Sequence, residues 1–138
     1  MKFGICNISI IPLRKEKSQK SEMTSQLLYG ETFEILELSE NWSYIKMNFD
    51  NYKGWIKNNQ YVKVDKKELK TIDESRYCSD LVEFVESSDK KLKTIVMGSN
   101  VSNAGIFNDK FDGNFSNNKR NKEEAVEIAL SLINTPYL

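Results

Sequence analysis

A chain of 138 residues holds one ordinary domain or two small ones and is too short for a large enzyme core. Apolar residues at 39%, charged residues at 29% and two Trp, six Tyr and seven Phe describe a globular chain with a real core, not a disordered one. Lys+Arg and Asp+Glu are both 20, so no net field draws the chain to nucleic acid or to an anionic membrane, and neither is expected as a partner.

There is no histidine. Histidine is the usual base that activates a cysteine or serine at neutral pH and a common metal ligand, so a Cys/His dyad, a Ser/His/Asp triad and a histidine metal site are excluded within these residues. No phosphate-cradling glycine loop and no metal-ligand spacing is present either, so no catalytic residue, metal or cofactor is expected.

The opening "MKFGICNISIIPLRKE" has one early lysine and returns to charge at Arg14, too short and interrupted for a secretory signal. No stretch approaches the ~20 apolar residues of a membrane span. A cytoplasmic location is the expectation, and there Cys6 and Cys78 read as reduced thiols, one or both in a core, with a pairing between them left open.

From Phe3 to Val64 the sequence reads as short strands separated by turn signals, the spacing of a small barrel. "FGICNI" and "SIIPLR" lie on either side of Asn7, with Pro12 suited to an edge because it donates no ladder hydrogen bond. Residues 15–26 are polar and predict a surface loop. Gly30 can take the positive φ of a tight bend, and from Thr32 to Leu38 the residues alternate with a mostly two-residue period. Trp42 to Met47, a start at Gly54-Trp55-Ile56 and a last run from Tyr61 to Val64 complete the set, with Trp42 and Trp55 read as core or rim residues and Gly54 as a backbone requirement.

Residues 65–77 are charged and predict a linker with a helical turn. From about 78 to 118 a second, smaller β unit is expected: two strands joined at Ser87-Ser88-Asp89, then a hairpin around Asn108-Asp109. Residues 114–122 read as an Asn-rich connector. Asn121 then caps a helix, with Glu124 as capping-box partner and Val126, Ala129, Leu130 and Ile133 forming an apolar stripe that should pack on something.

Ser21 to Met23, Gln26 to Glu31, Trp42-Ser43 and Tyr52 to Ile56 occur in one order and at one spacing. With them, residues 4 to 61 resemble the N-terminal bacterial SH3-like domain of the NlpC/P60 cysteine peptidases, of the γ-D-glutamyl-diamino-acid dipeptidyl-peptidase type that acts on cell-wall peptides. "IVMGSNV", "GIFNDKFDGNF" and "EEAVEIALSLINTPYL" resemble that family's middle region and the first helix of its catalytic domain. The resemblance implies an SH3-like barrel at 1–64, a linker plus second small β unit, itself open to an SH3-like reading, at 65–118, and a connector with the first catalytic-domain helix at 119–138. On it, the chain stops before the family's nucleophile and is not an enzyme by itself.

It also implies a role. In the resembled enzymes a tyrosine and an acid of the SH3-like domain hold the free amino group of a stem peptide's N-terminal L-alanine. That assigns the tyrosine to Tyr52 and the acid to Glu22, with Glu16 second; the plainer readings are that Tyr52 packs at a barrel turn and the glutamates are solvated charges. The partners implied are a peptidoglycan-derived peptide with a free N-terminal L-Ala and the chain's own catalytic domain. Cys78-Ser79 imitates the start of the family's nucleophile motif, but without a following glycine or a histidine it reads as structural. The alternative function is a free-standing SH3-like module that binds cell-wall peptides or a protein partner.

Overall fold

Short apolar runs interrupted by Asn, Asp, Ser and Gly produce short strands and tight turns in the first half of the chain. The computed structural model describes residues 2–69, 76–117 and 121–136. Seven strands, β1 (Lys2–Cys6), β2 (Ile10–Arg14), β3 (Met23–Leu28), β4 (Thr32–Leu38), β5 (Trp42–Met47), β6 (Lys53–Lys57) and β7 (Tyr61–Val64), pair antiparallel in the order β3-β2-β6-β5-β4-β1-β7. Cys6, Ile11, Leu13, Leu27, Phe33, Ile45, Ile56 and Tyr61, drawn from all seven strands, meet in one buried cluster. A sheet whose every strand reaches the same cluster must curl around it, which makes a small barrel. Phe33 is fully buried at its centre, edge-on to Tyr61 with ring centroids 5.1 Å apart.

Two local features follow from sequence details. The register of β4 against β5 shifts between Ile35 and Glu37, a bulge that turns Leu36 and Leu38 outward and explains why the alternation there is imperfect. A Cβ on Gly54 would lie 3.1 Å from Leu13 Cβ, so β6 approaches β2 too closely for an ordinary side chain to sit there comfortably.

The second unit follows: β8 (Tyr77–Cys78), β9 (Val82–Glu86), β10 (Leu92–Val96), a 3₁₀ helix (Val101–Phe107) and β11 (Phe115–Ser116). β9 and β10 form a hairpin with Lys90 in the left-handed region of its turn, and β8 pairs with β11. Its core is Cys78, Val85, Ile95, Val101 and Ala104, with Phe107 and Phe111 against it, plus Tyr29, which comes from the β3–β4 turn of the barrel.

Tyr29 ties the two units together. Its hydroxyl donates to Asp109 Oδ2 at 2.7 Å, and the same carboxylate oxygen is 2.5 Å from Lys93 Nζ. Asn100 donates its backbone N–H to the Tyr29 carbonyl, and Asn103 Nδ2 donates to the Gly30 carbonyl, both at 2.8 Å. Gly30 has φ +79°, and a Cβ there would stand 1.8 Å from the Asn100 carbonyl oxygen. Only glycine permits both the turn and this approach.

Lys122–Ser131 forms helix α1, opened by a complete capping box between Asn121 and Glu124. None of its residues is buried, and Val126, Leu130 and Ile133 are exposed. The apolar stripe expected to pack therefore faces outward among the described residues.

The fold class is as expected, mainly β with a small barrel, a lesser β unit and a C-terminal helix, but several elements differ. Residues 15–26 are not all loop: β3 begins at Met23, because a polar strand facing solvent carries no apolar signal. The hairpin expected around Asn108-Asp109 is instead a 3₁₀ helix that ends on Asn108 in the left-handed conformation, an Asn role easily mistaken for a hairpin turn. The connector of residues 114–122 contains β11, while 118–120 lie outside the described residues, as do 70–75 of the charged linker. β2 is not an edge strand, yet its ladder to β6 is only Arg14↔Trp55, which leaves Pro12 beside an unpaired stretch.

Candidate functional site

Arg14, last in β2, lies opposite Met23, first in β3, and opposite Trp55 in β6. The 15–22 loop and the 48–52 turn therefore leave the same end of these three strands, and they carry the three residues singled out from the sequence. Asp50 Oδ1 accepts the Tyr52 N–H at 2.9 Å, the Tyr52 carbonyl accepts the Met47 N–H at 2.9 Å, and Asn51 takes φ 63° between them. Short polar side chains that bond the local backbone and tolerate the left-handed region make such a turn.

The turn fixes Tyr52's backbone on both sides while its side chain stays 43% exposed. Two other tyrosines contrast with it: Tyr29 donates to Asp109, and Tyr61 Oη lies 2.8 Å from Ser43 Oγ. The Tyr52 hydroxyl makes no hydrogen bond among the described residues.

Glu22 accepts the Lys15 N–H through its carbonyl at 3.0 Å, which closes the loop, and its carboxylate is 69% exposed, 3.9 Å from Lys15 Nζ. An exposed pair at that distance contributes about 0–1 kcal/mol. Glu16 donates its N–H to Ser21 Oγ at 2.9 Å, and its side chain faces solvent. No hydrogen bond or ion pair among the described residues joins Tyr52 to either glutamate, so the three share an end of the barrel without forming a closed constellation.

Trp55 and Trp42 are half-buried on the barrel's outer face and do not enter its core. Trp55 packs on Tyr44 at 5.0 Å, with Lys17 Nζ 4.2 Å above its ring, and Lys57 Nζ lies 5.8 Å from the Trp42 ring.

Glu31 was not singled out by sequence. It lines a recess of about 270 Å³ at the junction of the units with Thr32, Phe49, Tyr77 and Asn100. Burial pushes its carboxyl above the usual glutamate range, opposed by the Leu28 N–H that donates to Oε2 at 2.7 Å and reinforced by the Asp50 charge. A glutamate next to a turn glycine looks like any exposed one until the second unit covers it, so its place at the end of the Gln26–Glu31 segment does not mark it as a buried acid.

Both cysteines are free and buried. Burial raises the Cys6 thiol to about 12 and also raises Cys78, each opposed by a bond to a backbone carbonyl, Ile8 and Asp80 respectively. Thiols held so far from the thiolate are poor nucleophiles. Among the described residues no group of three or more Cys, Asp or Glu side chains is arranged to hold a metal ion.

Residues 13–60 match the family model described as the bacterial dipeptidyl-peptidase Sh3 domain. This region is SH3-like. The matched stretch runs from Leu13 in β2 to Gln60 before β7 and contains Glu16, Glu22 and Tyr52, while the second unit and α1 lie outside it. No curated protein matches the chain.

Proposed function

We propose that this chain is the substrate-positioning SH3-like region of a peptidase that cuts the γ-D-Glu to diamino-acid bond of peptidoglycan stem peptides. Tyr52, with Glu22 or Glu16, holds the free amino group of the N-terminal L-alanine. The observation that carries this reading is a phenol without a hydrogen-bond partner among the described residues, on a turn hydrogen-bonded on both sides of it, inside the stretch that matches a dipeptidyl-peptidase SH3 domain.

The chemistry suits the task. An ammonium offers three donors, the Tyr52 oxygen accepts one and a glutamate accepts another with charge assistance. The lack of a bond between Tyr52 and the glutamates fits a site that a ligand's own cation draws together. The thiolate that attacks the amide belongs to a catalytic domain, for which the outward apolar face of α1 is a surface to pack on.

Calorimetric titration of the chain with L-Ala-γ-D-Glu-diaminopimelate, free and N-acetylated, tests this. The free peptide alone is expected to bind, uncleaved, and Tyr52→Phe to weaken it about tenfold, the value of one hydrogen bond. Equal binding of the acetylated peptide removes the amine from the site, and an unchanged Tyr52→Phe removes Tyr52.

A further inference from the structure

A different face of the barrel carries an unassigned chemical pattern. Two recesses, of about 420 and 200 Å³, flank Trp42 and share Gln19, Trp42 and Lys57 in their walls. Lys17 lines the first and Arg14 the second. Among the described residues no carboxylate lines either one, although acids and bases are equal in number over the whole chain.

Lys17 is committed, 2.9 Å from Glu37 and stacked on Trp55. Arg14 donates to the Ser21 carbonyl at 3.1 Å, and neither it nor Lys57 forms an ion pair among the described residues. Two cations without counter-charge beside a half-buried indole thus frame the double recess.

The remaining lining is rich in amides. Asn58 is satisfied, bonded to Ser43 Oγ and to the Ser39 carbonyl. Asn41 and Asn59 are exposed and make no side-chain hydrogen bond among the described residues. Each of these groups suits a different part of one ligand. The C–H face of a pyranose ring is apolar and lies flat on an indole. Its hydroxyls are donors and acceptors at once, matched by carboxamides. A carboxylate on the ring or its substituent pairs with Lys57 or Arg14. A bare anion has no use for the indole, and a neutral sugar none for the cations.

We propose that the Trp42 face binds an acidic saccharide. Trp42↔Lys57 is the open end of the β5–β6 hairpin and Lys46↔Lys53 its turn end, so Trp42 stands away from Tyr52; the 15–22 loop serves both sites, and Lys57→Gln tests this proposal while Tyr52→Phe tests the other.

The test is titration of the full chain, followed by tryptophan fluorescence and amide NMR shifts, with four probes: hyaluronan tetrasaccharide, neutral chitotetraose, tri-glutamate and a thymidine tetranucleotide. Saturable binding of the hyaluronan fragment is expected, with the other three at least about tenfold weaker, and a further weakening as salt is raised. Lys57→Gln should weaken it about tenfold, and Trp42→Leu should abolish it while Trp55 emission and circular dichroism report an intact fold. If Trp42→Leu fails to fold, Lys57→Gln decides. Equal binding of any control probe, an unaltered Lys57→Gln affinity, or no binding of the hyaluronan fragment at millimolar concentration overturns the proposal.

Discussion

Seven strands converge on the core of residues 2–64, whereas the core of residues 76–117 is met by strands of two and five residues, a 3₁₀ helix and one ring, Tyr29, that belongs to the barrel. Short ladders bury few backbone groups and little apolar area, so a small β unit standing alone is marginal. Here the deficit is met across the junction. The barrel's β3–β4 turn supplies an aromatic side chain and two carbonyls, and the second unit answers with Asp109, Lys93, Asn100 and Asn103. Independence of a domain in sequence therefore need not mean independence in stability.

The sharpest way to break that contrast is Lys93→Met. Asp109's side chain is 1% exposed, and removing its cation leaves a buried carboxylate with the Tyr29 hydroxyl as its side-chain partner among the described residues, at a cost of about 3–5 kcal/mol. Hydrogen exchange should show β9 and β10 amides losing protection while barrel amides keep theirs. Equal loss in both would make the two regions one cooperative unit.

Tyr29→Phe keeps the ring in the second core and removes only its hydrogen bond to a charged group, an expected loss of about 1.5–3 kcal/mol by urea unfolding. A loss confined to the barrel would mean that the shared ring does not support the second core.

Glu31→Gln probes the junction by pH. The folded chain holds Glu31's proton more tightly than the unfolded chain, whose reference value is 4.5. The wild-type residue thus adds stability below pH 4.5, and that contribution is lost as pH rises through its raised folded value. Thermal melts should therefore favour the Gln variant increasingly toward neutral pH, since Gln still accepts the Leu28 N–H; a pH-independent difference contradicts the burial of the charge. The smallest effect is expected at Leu130→Ala on the outward face of α1, within about 0.5 kcal/mol by the same melts. A larger loss would show that the helix packs on the β units.

Legibility in the sequence follows the range of the interactions. The alternation along the barrel strands, the Gly30 bend and the Asn121–Glu124 capping box involve residues a few positions apart, and each is written in local residue types. The start of β3 is not legible because solvent-facing strand residues are polar, nor is the 3₁₀ helix, because Asn108 serves helix ends as readily as hairpin turns. At the candidate site, the Asp50-Asn51 turn that holds Tyr52 is legible, since it is a local hydrogen-bonding pattern. Its spatial relation to Glu22 and Glu16 is not, because it depends on the register Arg14↔Met23 and Arg14↔Trp55.

By itself the sequence determined that this chain is mainly β, that it carries no imidazole chemistry, and that its helix is capped by Asn121, since composition, alternation and capping act through neighbours along the chain. Only the tertiary structure decided that Tyr29 leaves one core for another, that Glu31 is covered, and that Trp42 stands beside Arg14 and Lys57, neither ion-paired among the described residues. Those outcomes depend on which strand lies beside which, a pairing between distant residues that no local pattern encodes.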